Sequence, residues 1–119
     1  MTAAPDDFIR LIRLDELPLD QGVCIQIGGR ELALFRLSDP PGVYAIDNCC
    51  PHAGGNLSEG DLLPGGVIRC AWHAWKFRLC DGQSADGSAS GVYSFPIEIR
   101  GRDVYVNLVP RLPPESPSE

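Results

Sequence analysis

The sequence predicts an all-β protein, an antiparallel sandwich scaffold with a smaller subdomain inserted in it. Three observations predict it. Apolar and polar residues alternate over short runs, as in Val23-Cys24-Ile25-Gln26-Ile27, which is the period of a half-buried strand. Clusters of Gly, Pro, Ser and Asp of the kind that make tight turns separate these runs. No stretch carries the 3.6-residue apolar period of an amphipathic helix.

Phe8–Ile12 is short and apolar-rich and reads as the first strand. Leu14–Pro18 is one helical turn or a loop. Val23–Ile27 is a strand, Gly28-Gly29-Arg30 a hairpin turn, and Glu31–Leu37 the return strand. Ser38-Asp39-Pro40-Pro41-Gly42 is a second turn, and Val43–Ile46 the next strand. From Asp47 the texture changes, and Asn48 to Gly66 is rich in Gly, Pro, Cys and Asn with little alternation. Val67–Arg69 and Lys76–Leu79 are strand-like. Asp81 to Gly91 is a small-residue loop, too polar to bury. Val92–Ile99, the turn Arg100–Asp103 and Val104–Leu108 form a final hairpin. One domain is expected over residues 1–109, followed by a frayed Pro-, Ser- and Glu-rich tail over 110–119.

The 119 residues suffice for one compact core, and 44% of them are apolar, so the chain needs no disulfide staples. Sixteen acids against ten bases give a formal charge of −6, which argues against nucleic acid as a partner and suits docking to a partly basic protein. Met1 to Arg10 lacks a basic start followed by an apolar run, and no apolar stretch approaches the ~20 residues that cross a bilayer, so no membrane association is expected. Five cysteines, an odd number, fit a reducing cytoplasmic setting better than a disulfide framework.

The chain has only two histidines, and each stands beside a cysteine. Cys50-Pro51-His52 is a C-x-H, and Cys70-Ala71-Trp72-His73 is a C-x-x-H. Residues two apart in extended chain face one side, and residues three apart converge in a tight turn. Each loop therefore offers one thiolate and one imidazole. Zinc accepts such a Cys₂His₂ set, although zinc fingers pair like with like along the sequence. A cluster with two cysteines on one iron and two histidines on the other takes the same set. The mixed order favours the iron–sulfur reading.

Asp47-Asn48-Cys49-Cys50-Pro51-His52-Ala53-Gly54-Gly55-Asn56-Leu57-Ser58-Glu59-Gly60 and Cys70-Ala71-Trp72-His73-Ala74-Trp75-Lys76-Phe77 resemble the Rieske ferredoxin family. The chain is similar to soluble ferredoxins of ring-hydroxylating dioxygenases and to the small subunit of assimilatory nitrite reductase. The resemblance implies one [2Fe–2S] cluster held by Cys50, His52, Cys70 and His73, with cluster-binding loops at about 47–60 and 69–77. It implies one-electron transfer, with a flavin reductase and terminal oxygenase, or a nitrite reductase large subunit, as partners. It also implies solvent-facing imidazoles, and so a potential that falls at alkaline pH.

Two ferric ions, two sulfides and two thiolates sum to zero, so reduction makes the centre −1, and the potential exceeds that of an all-cysteine cluster. High-potential relatives carry a second cysteine in each loop; the matching positions are Gly55 and Trp72. They also place serine and tyrosine hydroxyls where this chain has Trp75 and Phe77. Fewer donors stabilise the added electron less, so the expected potential lies at the low end of the family. Ala71 and Ala74 depart from the usual proline and glycine, and Ser88-Ala89-Ser90-Gly91 lacks the covering proline. Cys24, Cys49 and Cys80 read as structural, Trp72 and Trp75 as water-excluding, and Arg69, Lys76 and Arg78 as a solvated strand face.

Overall fold

The computed structural model describes residues 8–38, 41–48, 56–70, 76–85 and 91–109. These hold ten strands: β1 (Phe8–Arg13), β2 (Gly22–Ile27), β3 (Arg30–Ser38), β4 (Pro41–Asp47), β5 (Asp61–Leu63), β6 (Val67–Arg69), β7 (Lys76–Arg78), β8 (Ser94–Phe95), β9 (Ile97–Arg100) and β10 (Asp103–Asn107). Single 3₁₀ turns occupy Leu14–Glu16 and Leu57–Glu59. The strands form three sheets, ordered β1-β10-β9, β2-β3-β4-β8 and β5-β6-β7, and every ladder is antiparallel. The chain is all-β, and the third sheet lies between β4 and β8 in sequence, where the inserted subdomain was expected.

The middle sheet explains a feature of the sequence. In β3, Leu32, Ala33, Leu34, Phe35 and Leu37 are apolar almost without interruption, and all are buried. Successive side chains point to opposite faces, so a continuous apolar run requires cover on both sides. Leu32 and Leu34 pack with Leu17, Ala45, Phe95, Val104 and Val106 in the core of the sandwich. Ala33, Phe35 and Leu37 pack on the opposite face with Leu57, Ile68, Cys70, Phe77 and Leu79 of the insertion. One strand thus sits between the scaffold core and the subdomain core. Arg36 shares the sandwich-side face, and its guanidinium donates to the carbonyls of Leu14 (3.1 Å) and Leu17 (3.3 Å), tying the first 3₁₀ turn down.

Turn chemistry fixes the registers. Gly28 and Gly29 hold φ of 59° and 78°, which a two-residue hairpin closing on Ile27 and Arg30 demands. Val92–Ile99, expected as one strand, is two strands in two sheets. Pro96 has no N–H to give a ladder, and the chain crosses there from β4's sheet to β10's. β5 was not foreseen; three residues of Asp-Leu-Leu show no alternation long enough to read. The segment after β7, expected to be too polar to bury, is buried in part. Gly82 and Gly91 are buried, because hydrogen bonds satisfy the backbone: Gly82 N–H donates to Arg78 O, Arg78 N–H to Gln83 O, and Val92 N–H to Gly82 O, at 2.7–2.8 Å.

Candidate metal centre

Residues 49–55, 71–75 and 86–90 lie outside the described residues, which show how the stems on either side of them are fixed. The first, 49–55, runs from Asn48 to Asn56. Asn48 is 1% exposed and bonded in every direction. Its N–H donates to Glu31 O (3.0 Å), and its carbonyl accepts from Leu57 N–H (2.7 Å). Its side-chain oxygen accepts from Ser58 N–H (2.9 Å), and Nδ2 donates to Asn56 Oδ1 (3.1 Å), Glu31 Oε1 (3.3 Å) and Cys24 Sγ (3.5 Å). The two ends of the loop are thereby held against each other.

The second loop expected from the sequence lies between β6 and β7, whose antiparallel pairing brings Arg69 opposite Lys76. Gly60, just past the first loop, abuts its start: a β-carbon there would lie 2.2 Å from Arg69 O. Only glycine permits that approach. The third segment leaves from Ala85, whose N–H donates to Lys76 O (2.8 Å), and returns at Gly91. The stems of all three therefore meet around the β6–β7 hairpin.

Cys70 stands at the head of the second loop. It is 1% exposed, a free thiol, and lies in the apolar cluster with Ile68, Leu57 and Phe77. Charge is kept to the periphery. Arg69 pairs with Asp61 (2.6 Å) and Arg78 with Asp81 (2.6 Å), all on exposed side chains. Partial burial works to raise the Asp81 pKa, but hydrogen bonds from Arg78 and the Gln83 N–H, with the arginine's charge, hold it below the usual carboxylate value. The solvated reading of this strand face holds for both arginines.

A family model described as the Rieske [2Fe-2S] domain matches residues 7–96. The chain belongs to the Rieske [2Fe–2S] domain family. The cofactor of the domain is thus one [2Fe–2S] cluster. The naphthalene 1,2-dioxygenase system ferredoxin component of Pseudomonas aeruginosa is 29% identical over 104 residues, covering 87% of this chain and 97% of that protein. The nitrite reductase [NAD(P)H] large subunit of Klebsiella oxytoca is 33% identical over 97 residues, covering 78% of this chain but only 10% of that protein. Among solved structures, the ferredoxin of carbazole 1,9a-dioxygenase from Nocardioides aromaticivorans superposes with a TM-score of 0.75 at 27% identity, over 83% of this chain and 95% of that one.

Of the four ligands expected in this Rieske domain, Cys70 is described, and Cys50, His52 and His73 lie outside the described residues, as do Cys49, Trp72 and Trp75. Cys70 fits the role expected of it, as a buried thiol with no disulfide, at the start of the loop that carries His73. The donor set of two thiols and two imidazoles suits a [2Fe–2S] centre with histidines on one iron. Cys24 and Cys80 are exposed, not structural core residues. β2 is a sheet edge, so the outward side of Cys24 has little cover. Partial desolvation, then the carboxylates of Glu31 and Glu59, push its thiol pKa up. Asn48 and Asn56, which bracket the first loop, were missed by sequence reasoning. The available signal was a polar residue at each end of a Cys/His loop, where an apolar strand stops.

Proposed function

We propose that the chain is a soluble one-electron carrier, a Rieske ferredoxin that passes electrons to a partner oxygenase or reductase. The observation that carries this reading is the meeting of three loop stems around Cys70, the one expected ligand among the described residues, in a layer separate from the scaffold core. Cys50 and Cys70 would hold one iron, and His52 and His73 the other. When bound, the cluster takes up and returns a single electron. The apolar shell of Leu57, Ile68 and Phe77 around Cys70 keeps water from the thiolate side. Arg69 with Asp61 and Arg78 with Asp81 pair at exposed positions on this side.

We favour the ferredoxin reading because ferredoxin components of oxygenase systems recur among the similar proteins. The chain spans 97% of the dioxygenase ferredoxin component and a tenth of the nitrite reductase large subunit. In the favoured reading a flavin reductase supplies the electron and a terminal oxygenase receives it. In the other, the chain is the small electron-transfer subunit of an assimilatory nitrite reductase. Among the described residues no helix is long and apolar enough to cross a membrane. The proposal includes a cytoplasmic location, from the odd cysteine count, and a domain over 1–109 with 110–119 as an appended tail. Purification from its own host tests the partner. A monomer reduced by a separate flavin reductase supports the ferredoxin, and co-purification with a sirohaem-bearing chain supports the subunit.

A further inference from the structure

We propose that Asn48 is a positioning residue that closes the first cluster loop and so sets the stance of Cys50 and His52. The inference rests on the reading that this loop carries ligands. Asn48 is buried, yet it lies two residues before Cys50 and reaches across the loop rather than into the core. Three hydrogen bonds run from it to the far stem: Leu57 N–H to its carbonyl, Ser58 N–H to its Oδ1, and its Nδ2 to Asn56 Oδ1. Its Nδ2 also donates to Glu31 on the neighbouring strand, which anchors both stems to the scaffold sheet.

The chemistry specifies asparagine. The position needs an acceptor for Ser58 N–H and a donor for two oxygens, Asn56 Oδ1 and Glu31 Oε1. An amide has both. Aspartate keeps the acceptor but sets a carboxylate against the carboxylate of Glu31. Alanine removes the partners of the half-buried Ser58 N–H and of the exposed Asn56 Oδ1, which water can only partly replace. A loop closed in advance loses less freedom when ligands are fixed, so the clamp contributes to the hold on the metal.

The test compares Asn48→Ala, Asn48→Asp and Asn56→Ala with Val104→Ala. The last thins the sandwich core on the opposite side of β3 and serves as a control for general destabilisation. In the chain as purified, the Leu57 and Ser58 amides should exchange hydrogen roughly tenfold faster in both Asn48 variants and not in the control. Iron release to a chelator should quicken by roughly five- to twentyfold, the scale of one or two part-buried hydrogen bonds, and the EPR lines of the reduced protein should broaden. Asn48→Ala and Asn56→Ala combined should fall short of additive. If the Asn48 variants match Val104→Ala in amide exchange, the clamp is wrong whatever the metal. If exchange changes as expected but the wild-type chain holds no iron and sulfide, the ligand reading fails and with it the positioning role.

Discussion

Replacing Phe77 by alanine probes the two-core arrangement most sharply. The ring is fully buried between Ile68, Cys70 and the far face of β3. A phenylalanine buries about 150–250 Å², of which the ring beyond the β-carbon supplies roughly 100–140 Å²; at about 25 cal/mol per Å² this is about 2.5–3.5 kcal/mol. A partly collapsed cavity adds about 1 kcal/mol, so the expected cost is about 3–5 kcal/mol. Total stability for a domain of this size is about 5–15 kcal/mol, so the loss is a large share of the total. Urea unfolding followed by tryptophan fluorescence and by circular dichroism measures the loss. The damage should concentrate in the insertion, because the sandwich core on the other side of β3 does not touch Phe77. Hydrogen exchange should quicken in β5–β7 and little in β9–β10, and iron content should fall. A cost under 1 kcal/mol, or exchange raised equally in both layers, would refute the separation of the two cores by β3.

Gly60→Ala should cost about 1–3 kcal/mol, because its methyl group would meet Arg69 O at 2.2 Å, and iron content after purification should drop in step. Cys70→Ser should abolish the visible chromophore while the circular dichroism of the scaffold stays β-rich. Asp20 has a lowered pKa, first from the Ser38 hydroxyl and then from the Ser38 N–H, both donating to its carboxylate. A carboxyl depressed in the fold gives stability that is present above its unfolded pKa and is lost as pH falls through the folded value. Thermal melts between pH 5 and pH 2 should therefore show a flatter acid limb for Asp20→Asn than for wild type. Asparagine also tolerates the φ of 60° that this residue holds. Redox titration should place the potential near or below zero, the low end of the Rieske range.

Much of this fold was legible from local pattern. The alternation of β2, the Gly28-Gly29 turn and the final β9–β10 hairpin are short-range features, and each appears in place. What escaped depends on neighbours distant in sequence. β5 is a strand only because β6 lies beside it. Pro96 divides one apolar run between two sheets, and nothing local says which sheet each half joins. Leu32–Leu37 announces a strand, but its burial on both sides becomes clear only once the insertion covers one face. The expected ligands were named from the Cys/His pairs, which are rare and chemically specific, together with the family resemblance. Asn48 carries no such mark, because its importance lies in partners 8 to 24 residues away.

The central claim is that this chain holds a [2Fe–2S] cluster through a mixed set of thiols and imidazoles. Iron and acid-labile sulfide analysis of anaerobically purified protein, read with the EPR spectrum after dithionite reduction, tests it most directly. The expected result is two iron and two sulfide per chain, a red-brown oxidised form and a one-electron EPR signal. A colourless chain with one zinc and no sulfide would contradict it.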